Sequence, residues 1–175
     1  MTYYDDIYEI AVDNYGLITS AEAKALGASD QDMKMLAKRG RLVKRGHGVY
    51  KLARYVPTPY DAYAEAVVLV GPRAYLYGES VIAMLELAPT NPSRVFVATP
   101  ARIRKQLPEH IVLAKADDAV THYEGIPSQS AYDAIRACRK TMMPERLEGA
   151  TREAERQGYI TGCQAAALLQ ELGQS

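Results

Sequence analysis

Residues 33–55, MKMLAKRGRLVKRGHGVYKLARY, decide the fold of the first part of this chain. They include eight Lys or Arg and no Asp or Glu, although the 175-residue chain has 21 basic and 21 acidic residues and a formal net charge of zero. Positive charge concentrated in this way is typical of a surface that binds a polyanion such as nucleic acid. The shape of that surface follows from where the surrounding helices and strands begin and end.

Three short helices lead into the basic stretch. Apolar residues at helical spacing predict a first helix at about residues 3–14. Thr19 and Glu22 have the spacing of a capping box, which predicts a second helix. Ser29, followed by two acids, predicts the start of a third helix, and Gly40 predicts its end. Two short helices joined by a tight turn that contains glycine are typical of a helix-turn-helix.

A basic hairpin follows the third helix. Apolar strand-forming residues flank the sequence RGHG at residues 45–48, which predicts two strands joined by a glycine-rich tip. Three helices and a basic hairpin make a winged helix-turn-helix, in which the third helix enters the major groove and the wing contacts the backbone or the minor groove. The sequence therefore predicts a DNA-binding domain at residues 1–54.

The third helix and the wing supply the candidate DNA contacts. Polar residues in the first two turns of the helix can address base edges, and Gln31 has the groups to pair with adenine. The cations would neutralise phosphates, which predicts a slope of log K against log salt of roughly −3 to −5. A solvated basic face and a protein-docking winged helix stay open as alternatives. The predicted DNA-binding residues are Ser29, Gln31, Lys34, Lys38, Arg39, Arg41, Lys44, Arg45 and His47.

The basic excess ends after residue 54, since the remainder has 12 basic and 14 acidic residues. Pro57 and Pro59 stiffen a linker-like passage, and we expect a C-terminal domain at residues 55–175 with a small sheet and several helices. The predicted fold class of the whole chain is therefore α+β. The strands are expected at about residues 94–98, 111–114 and 120–123, and a second basic cluster, Arg102, Arg104 and Lys105, lies between the first two. Whether this cluster joins the DNA-binding face stays open.

Several segments resemble the AbiEi-type antitoxin family. GLITS at residues 16–20, LAKRGRLV at 36–43 and RGHGVY at 45–50 resemble its N-terminal winged helix, and GESVIA at 78–83 and GIPS at 125–128 are similar to its second part. The resemblance implies a transcriptional repressor that autoregulates its own promoter and acts as the antitoxin of a type IV toxin-antitoxin pair. It also implies a nucleotidyltransferase-type toxin as functional partner, with no stable complex required. The expected operator is double-stranded DNA with an inverted repeat.

Motifs of the common enzyme classes are missing from the sequence. There is no GxxxxGK[ST] phosphate loop, no GxSxG elbow and no HExxH motif. Glu22 with Lys24 and Asp32 with Lys34 fit the acid-x-Lys pattern of some nucleases, but these acids lie in first helical turns, where capping explains them. We therefore expect no enzymatic activity. The competing hypothesis is a stand-alone regulator or adapter whose C-terminal domain binds a protein or a small ligand.

Cysteines and hydropathy set further expectations. Cys138 and Cys163 belong to no zinc-binding or disulfide spacing, so we expect no metal and no cofactor. The N-terminus has neither the basic start nor the apolar core of a signal peptide, and the longest apolar runs are far shorter than the roughly 20 residues that span a bilayer. These features predict a cytoplasmic protein without a membrane segment.

Overall fold

The computed structural model describes residues 3–91 and 93–174, which form two compact units. The first unit comprises the described residues up to 72 together with residues 103–107, and the second comprises the described part of 73–102 and 108–175. Helices and strands occur in both units, so the predicted α+β class is confirmed. Residues 55–72 belong to the first unit, and the proposed functional boundary between residues 54 and 55 stays a prediction.

The first unit is a winged helix with one additional strand and one additional helix. The three predicted helices, the capping box of Thr19 with Glu22 and the wing are all present. The additional strand pairs with the second wing strand, which therefore lies in the middle of a three-stranded antiparallel sheet. The elements are α1 (Tyr3–Val12), β1 (Leu17–Thr19), α2 (Ser20–Ala25), α3 (Asp30–Lys38), β2 (Leu42–Gly46), β3 (Val49–Leu52) and α4 (Asp61–Val70).

Both faces of the three-stranded sheet are covered. Paired residues share a face, and the register pairs Ile18 with Tyr50 and Leu42 with Leu52. These four residues pack with the apolar sides of α1, α2 and α3 in one core. The opposite face is covered by α4, since Leu17 is also fully buried and α4 contacts β1. The winged helix is therefore held on both sides of its sheet.

The second unit contains a mixed five-stranded sheet, in the order β6 (Ile111–Lys115), β5 (Val95–Thr99), β4 (Tyr75–Leu76), β8 (Ile126–Gln129) and β7 (Val120–Tyr123). The three predicted strands are present at the expected places, whereas the short β4 was missed. Most of residues 125–128 belong to β8, a strand that was also not predicted; it pairs with both β4 and β7 and leads into the helix that begins at Ala131. The elements are β4 (Tyr75–Leu76), α5 (Glu79–Met84), β5 (Val95–Thr99), β6 (Ile111–Lys115), β7 (Val120–Tyr123), β8 (Ile126–Gln129), α6 (Ala131–Ala137), α7 (Pro144–Arg156) and α8 (Gly162–Leu172).

The helices of both units are short. Within residues 3–91 and 93–174, none combines the length and the apolar character needed to cross a lipid bilayer.

Candidate nucleic-acid interface

Helix α3 has one buried side and one polar side. Met33 is fully buried and Leu36 is nearly so, because both point into the core of the first unit. Gln31, Lys34 and Lys38 lie on the exposed side, as the helical spacing predicted. This amphipathic arrangement fixes the helix on the core and leaves its polar side free for a ligand.

All the residues predicted to bind DNA are exposed to solvent. None of them contributes to the apolar core, although their neighbours Met33, Leu36 and Leu42 do. The structure places them in one continuous part of the chain, from the cap of α3 through the turn at Gly40 to β2 and the wing tip. The nine exposed residues are Ser29, Gln31, Lys34, Lys38, Arg39, Arg41, Lys44, Arg45 and His47.

The start of α3 is organised by a capping box. The Ser29 Oγ accepts a hydrogen bond from the Asp32 backbone N–H at 3.1 Å and donates one to the Asp32 carboxylate at 2.7 Å. The Ser29 backbone N–H also donates to that carboxylate at 2.7 Å, and Tyr3 donates to its second oxygen at 3.2 Å. The hydrogen bond from the Ser29 side chain is the main reason why the pKa of Asp32 is lowered. The Ser29 hydroxyl is thus already engaged in holding the helix start.

Replacement of the cap should destabilise α3. We expect Ser29→Ala to lower the free energy of unfolding by about 1 kcal/mol, whereas Ser29→Thr keeps the hydroxyl and costs less. Because the pKa of Asp32 is lowered by folding, its contribution is present above the ordinary aspartate pKa and is lost as the pH falls through the lower folded value. Urea unfolding at pH 7 and at acidic pH measures both effects. Equal stability of the Ala and Thr variants at pH 7 would contradict the capping role.

The wing is tied to α4 by two ion pairs. Arg45 Nε lies 2.7 Å from Glu65 Oε1, with the side chain of Glu65 only 15% exposed, and Lys51 Nζ lies 3.1 Å from Asp61 Oδ2. The tip is also close to the helix, since a Cβ built on Gly46 would lie 2.5 Å from Leu69 Cδ2. Arg45 is therefore not a free cation in this structure. A phosphate that binds Arg45 must compete with the Glu65 carboxylate.

The packing of α4 on the wing was not predicted from the sequence, although the sequence contains a charge pattern that indicates it. Asp61, Glu65 and Leu69 follow each other at intervals of four, so they form one stripe along the helix. That stripe carries two acids in the first two turns, opposite in charge to the wing before it. The alternation of charge between neighbouring segments indicated that α4 packs on the wing.

Two cations of the second basic cluster also belong to the first unit. Arg104 and Lys105 are exposed and lie in residues 103–107, which are part of this unit, whereas Arg102 is assigned to the second unit. The second basic cluster is therefore divided between the two units.

The second unit has a cleft of about 710 Å³, lined in part by Glu86, Glu145, Arg146 and Glu153. Glu153 is already held by Arg156 and Gln157, and the hydrogen bond from Arg156 is the main cause that lowers the pKa of Glu153 to about 2. Within the described part of the chain, no group of three or more His, Cys, Asp or Glu side chains is arranged to hold a metal ion.

The winged-helix geometry and its exposed basic side agree with a family comparison. Residues 5–53 match the family model described as a transcriptional regulator, AbiEi antitoxin. This N-terminal segment is AbiEi-like. The AbiEi-like segment contains all nine predicted DNA-binding residues and ends within the first unit. The family description names a regulator and an antitoxin, and the resemblance of residues 78–83 and 125–128 lies outside the match.

The chain was also compared with curated proteins and with solved structures. No curated protein matches the chain. A crystal structure of the RV2827C protein from Mycobacterium tuberculosis aligns with 97% of this chain and 81% of that chain, at 14% sequence identity and a TM-score of 0.40. This similarity is too low to transfer any property from one protein to the other.

Proposed function

We propose that the first unit binds double-stranded DNA through the exposed side of α3 and the edge strand β2, and that the chain represses its own promoter. The observation that carries this proposal is the solvent exposure of all nine predicted contact residues along one continuous segment. Their charge suits phosphates, while Gln31 and Lys34 lie in the first turns of a helix whose opposite side packs in the core through Met33 and Leu36.

A gel shift with the chain's own upstream DNA tests this proposal. We expect binding to an inverted repeat, with log K falling by roughly 3 to 5 for each tenfold increase in salt, because each phosphate contact releases about 0.9 of a counterion. A scrambled fragment of the same length should bind more weakly and with a similar salt slope. Failure to shift either fragment at low salt would contradict DNA binding by this unit.

The second prediction is that the ion pair between Arg45 and Glu65 weakens DNA binding. Glu65→Gln should raise the affinity for DNA by a factor of about 2 to 5, because a partly exposed pair is worth at most about 1 kcal/mol and its loss leaves Arg45 free for phosphate. Glu9→Gln, on the exposed side of α1, changes the net charge equally and serves as control. Equal gains in both variants, measured by gel shift, would mean that only total charge matters and that Glu65 does not restrain the wing.

We further propose that the chain acts as the antitoxin of a type IV pair with a nucleotidyltransferase-type toxin. The support is the description of the family that the AbiEi-like segment matches. Co-expression with a toxin encoded beside it should restore growth of arrested cells. The rescue should persist in a variant that no longer binds DNA, since antitoxicity is expected from the C-terminal part. Promoter binding without rescue would favour the alternative, a stand-alone regulator or adapter.

A further inference from the structure

The first unit contains a cleft of about 460 Å³ whose lining includes residues outside the proposed DNA-binding face. We define it as the arginine cleft, which is lined by Arg39, Arg41 and Arg54 together with Tyr4, Tyr8, Gly40, Leu52 and Ala53. Three separate parts of the chain form it, namely α1, the turn that follows α3 and the end of β3. The backbone N–H of Ala53 donates to the carbonyl of Arg41 at 3.0 Å, which joins two of these parts.

The arginine cleft is positively charged and has no acid in its lining. Within residues 3–91 and 93–174, Arg39, Arg41 and Arg54 form no ion pair with a carboxylate. Arg41 instead lies over the ring of Tyr4, at 4.6 Å from its centroid, which fixes its guanidinium at one wall of the cleft. Guanidinium groups match the oxygens of a phosphate in pairs, so this lining is suited to a phosphate group.

The tyrosines add an aromatic wall. The rings of Tyr4 and Tyr8 are 6.5 Å apart and tilted by 44°. One face of Tyr4 is occupied by Arg41, whereas Tyr8 is 46% exposed and offers a ring surface to a planar ligand. Stacking of a base on an aromatic side chain contributes substantially to affinity and tolerates different bases.

We propose that the arginine cleft binds a nucleoside monophosphate, with its phosphate on the arginines and its base on Tyr8. The volume lies in the range of small-ligand sites, which is roughly 300 to 1,000 Å³. The site is additional to the DNA-binding face, since Tyr8 and Arg54 are not among the nine predicted DNA contacts. Arg39 and Arg41 are shared by both, so the nucleotide and DNA compete for them.

Calorimetric titration of the full chain with AMP tests the proposal, with adenosine and inorganic phosphate as separate probes. AMP should bind at least about tenfold more tightly than adenosine or inorganic phosphate. Arg54→Gln should weaken AMP binding about fivefold or more. Tyr8→Leu should weaken it by a similar factor without disturbing α1, because Tyr8 is exposed and Leu is a good helix former. Arg152→Gln, an exposed arginine of α7, should leave it unchanged.

Two results would overturn the proposal. One is that AMP binds no more tightly than inorganic phosphate, which would mean that the cleft attracts anions without recognising the nucleoside. The other is unchanged AMP binding by Arg54→Gln together with weaker DNA binding, which would make the cleft a part of the DNA track. If the proposal holds, Arg54→Gln keeps its affinity for upstream DNA in the absence of AMP, so a failure here is distinguishable from a failure of DNA binding itself.

Discussion

A variant with Lys38→Ala, Arg39→Ala and Arg45→Ala should lose most of its affinity for the upstream DNA, by roughly 10²- to 10³-fold near physiological salt. Each of these side chains is exposed, and each is expected to meet one phosphate in a contact with a net value of about 1 to 1.5 kcal/mol. Arg45 is expected to contribute less than the other two, because it must first leave the carboxylate of Glu65. The salt slope should fall by nearly 3, since three counterions are no longer released. Fluorescence anisotropy with labelled DNA over a salt series measures both quantities.

The matched control for this variant removes three exposed cations of the second unit, Lys115, Lys140 and Arg152. It has the same net charge as the triple variant and should bind DNA nearly as well as the unchanged chain, apart from a weak long-range effect. Circular dichroism checks that both variants are folded. Equal affinities of the two triple variants would mean that the DNA-binding face does not lie at the end of α3 and the wing. An unchanged salt slope would show that these side chains do not reach phosphates.

Gly16→Ala should lower the free energy of unfolding of the first unit by about 2 to 5 kcal/mol. Gly16 has a φ of +76°, where an alanine costs roughly 1 to 2 kcal/mol. A Cβ at this position would also lie 2.8 Å from Cγ of Tyr55, a contact that requires the half-buried ring to move. The carbonyl of Gly16 accepts a hydrogen bond from Leu52 at 2.8 Å, so a shift at Gly16 disturbs the sheet as well.

Gly27→Ala separates the two causes of this loss. Gly27 has a φ of +92°, but a Cβ there would meet nothing within 4 Å, so only the backbone strain remains. Amide hydrogen exchange of peptides from β1 and β3 reports the stability of the first unit independently of the second. A loss in Gly16→Ala no greater than in Gly27→Ala would contradict the role of the Tyr55 contact. Adding Tyr55→Ala to Gly16→Ala should then recover no stability.

Local signals predicted most of the winged helix. The capping residues Thr19 and Ser29 determine where α2 and α3 begin, because a side-chain oxygen satisfies backbone N–H groups within the same few residues. The glycines around His47 likewise favour the hairpin. In contrast, β1 has only three residues and β4 only two, so neither has enough length for a periodic pattern. These strands form because partners distant in sequence pair with them.

The sequence by itself determined the order of caps, helices and hairpin in the first unit, and it determined which side chains are polar and exposed. Only the tertiary structure decided which of those cations are free. Arg45 and Lys51 are paired with acids of α4, while Arg39, Arg41 and Arg54 converge around one cleft. The physical reason is that capping and hydrophobic periodicity involve residues close together in the sequence. Ion pairs and clefts depend on distant segments that tertiary packing brings together.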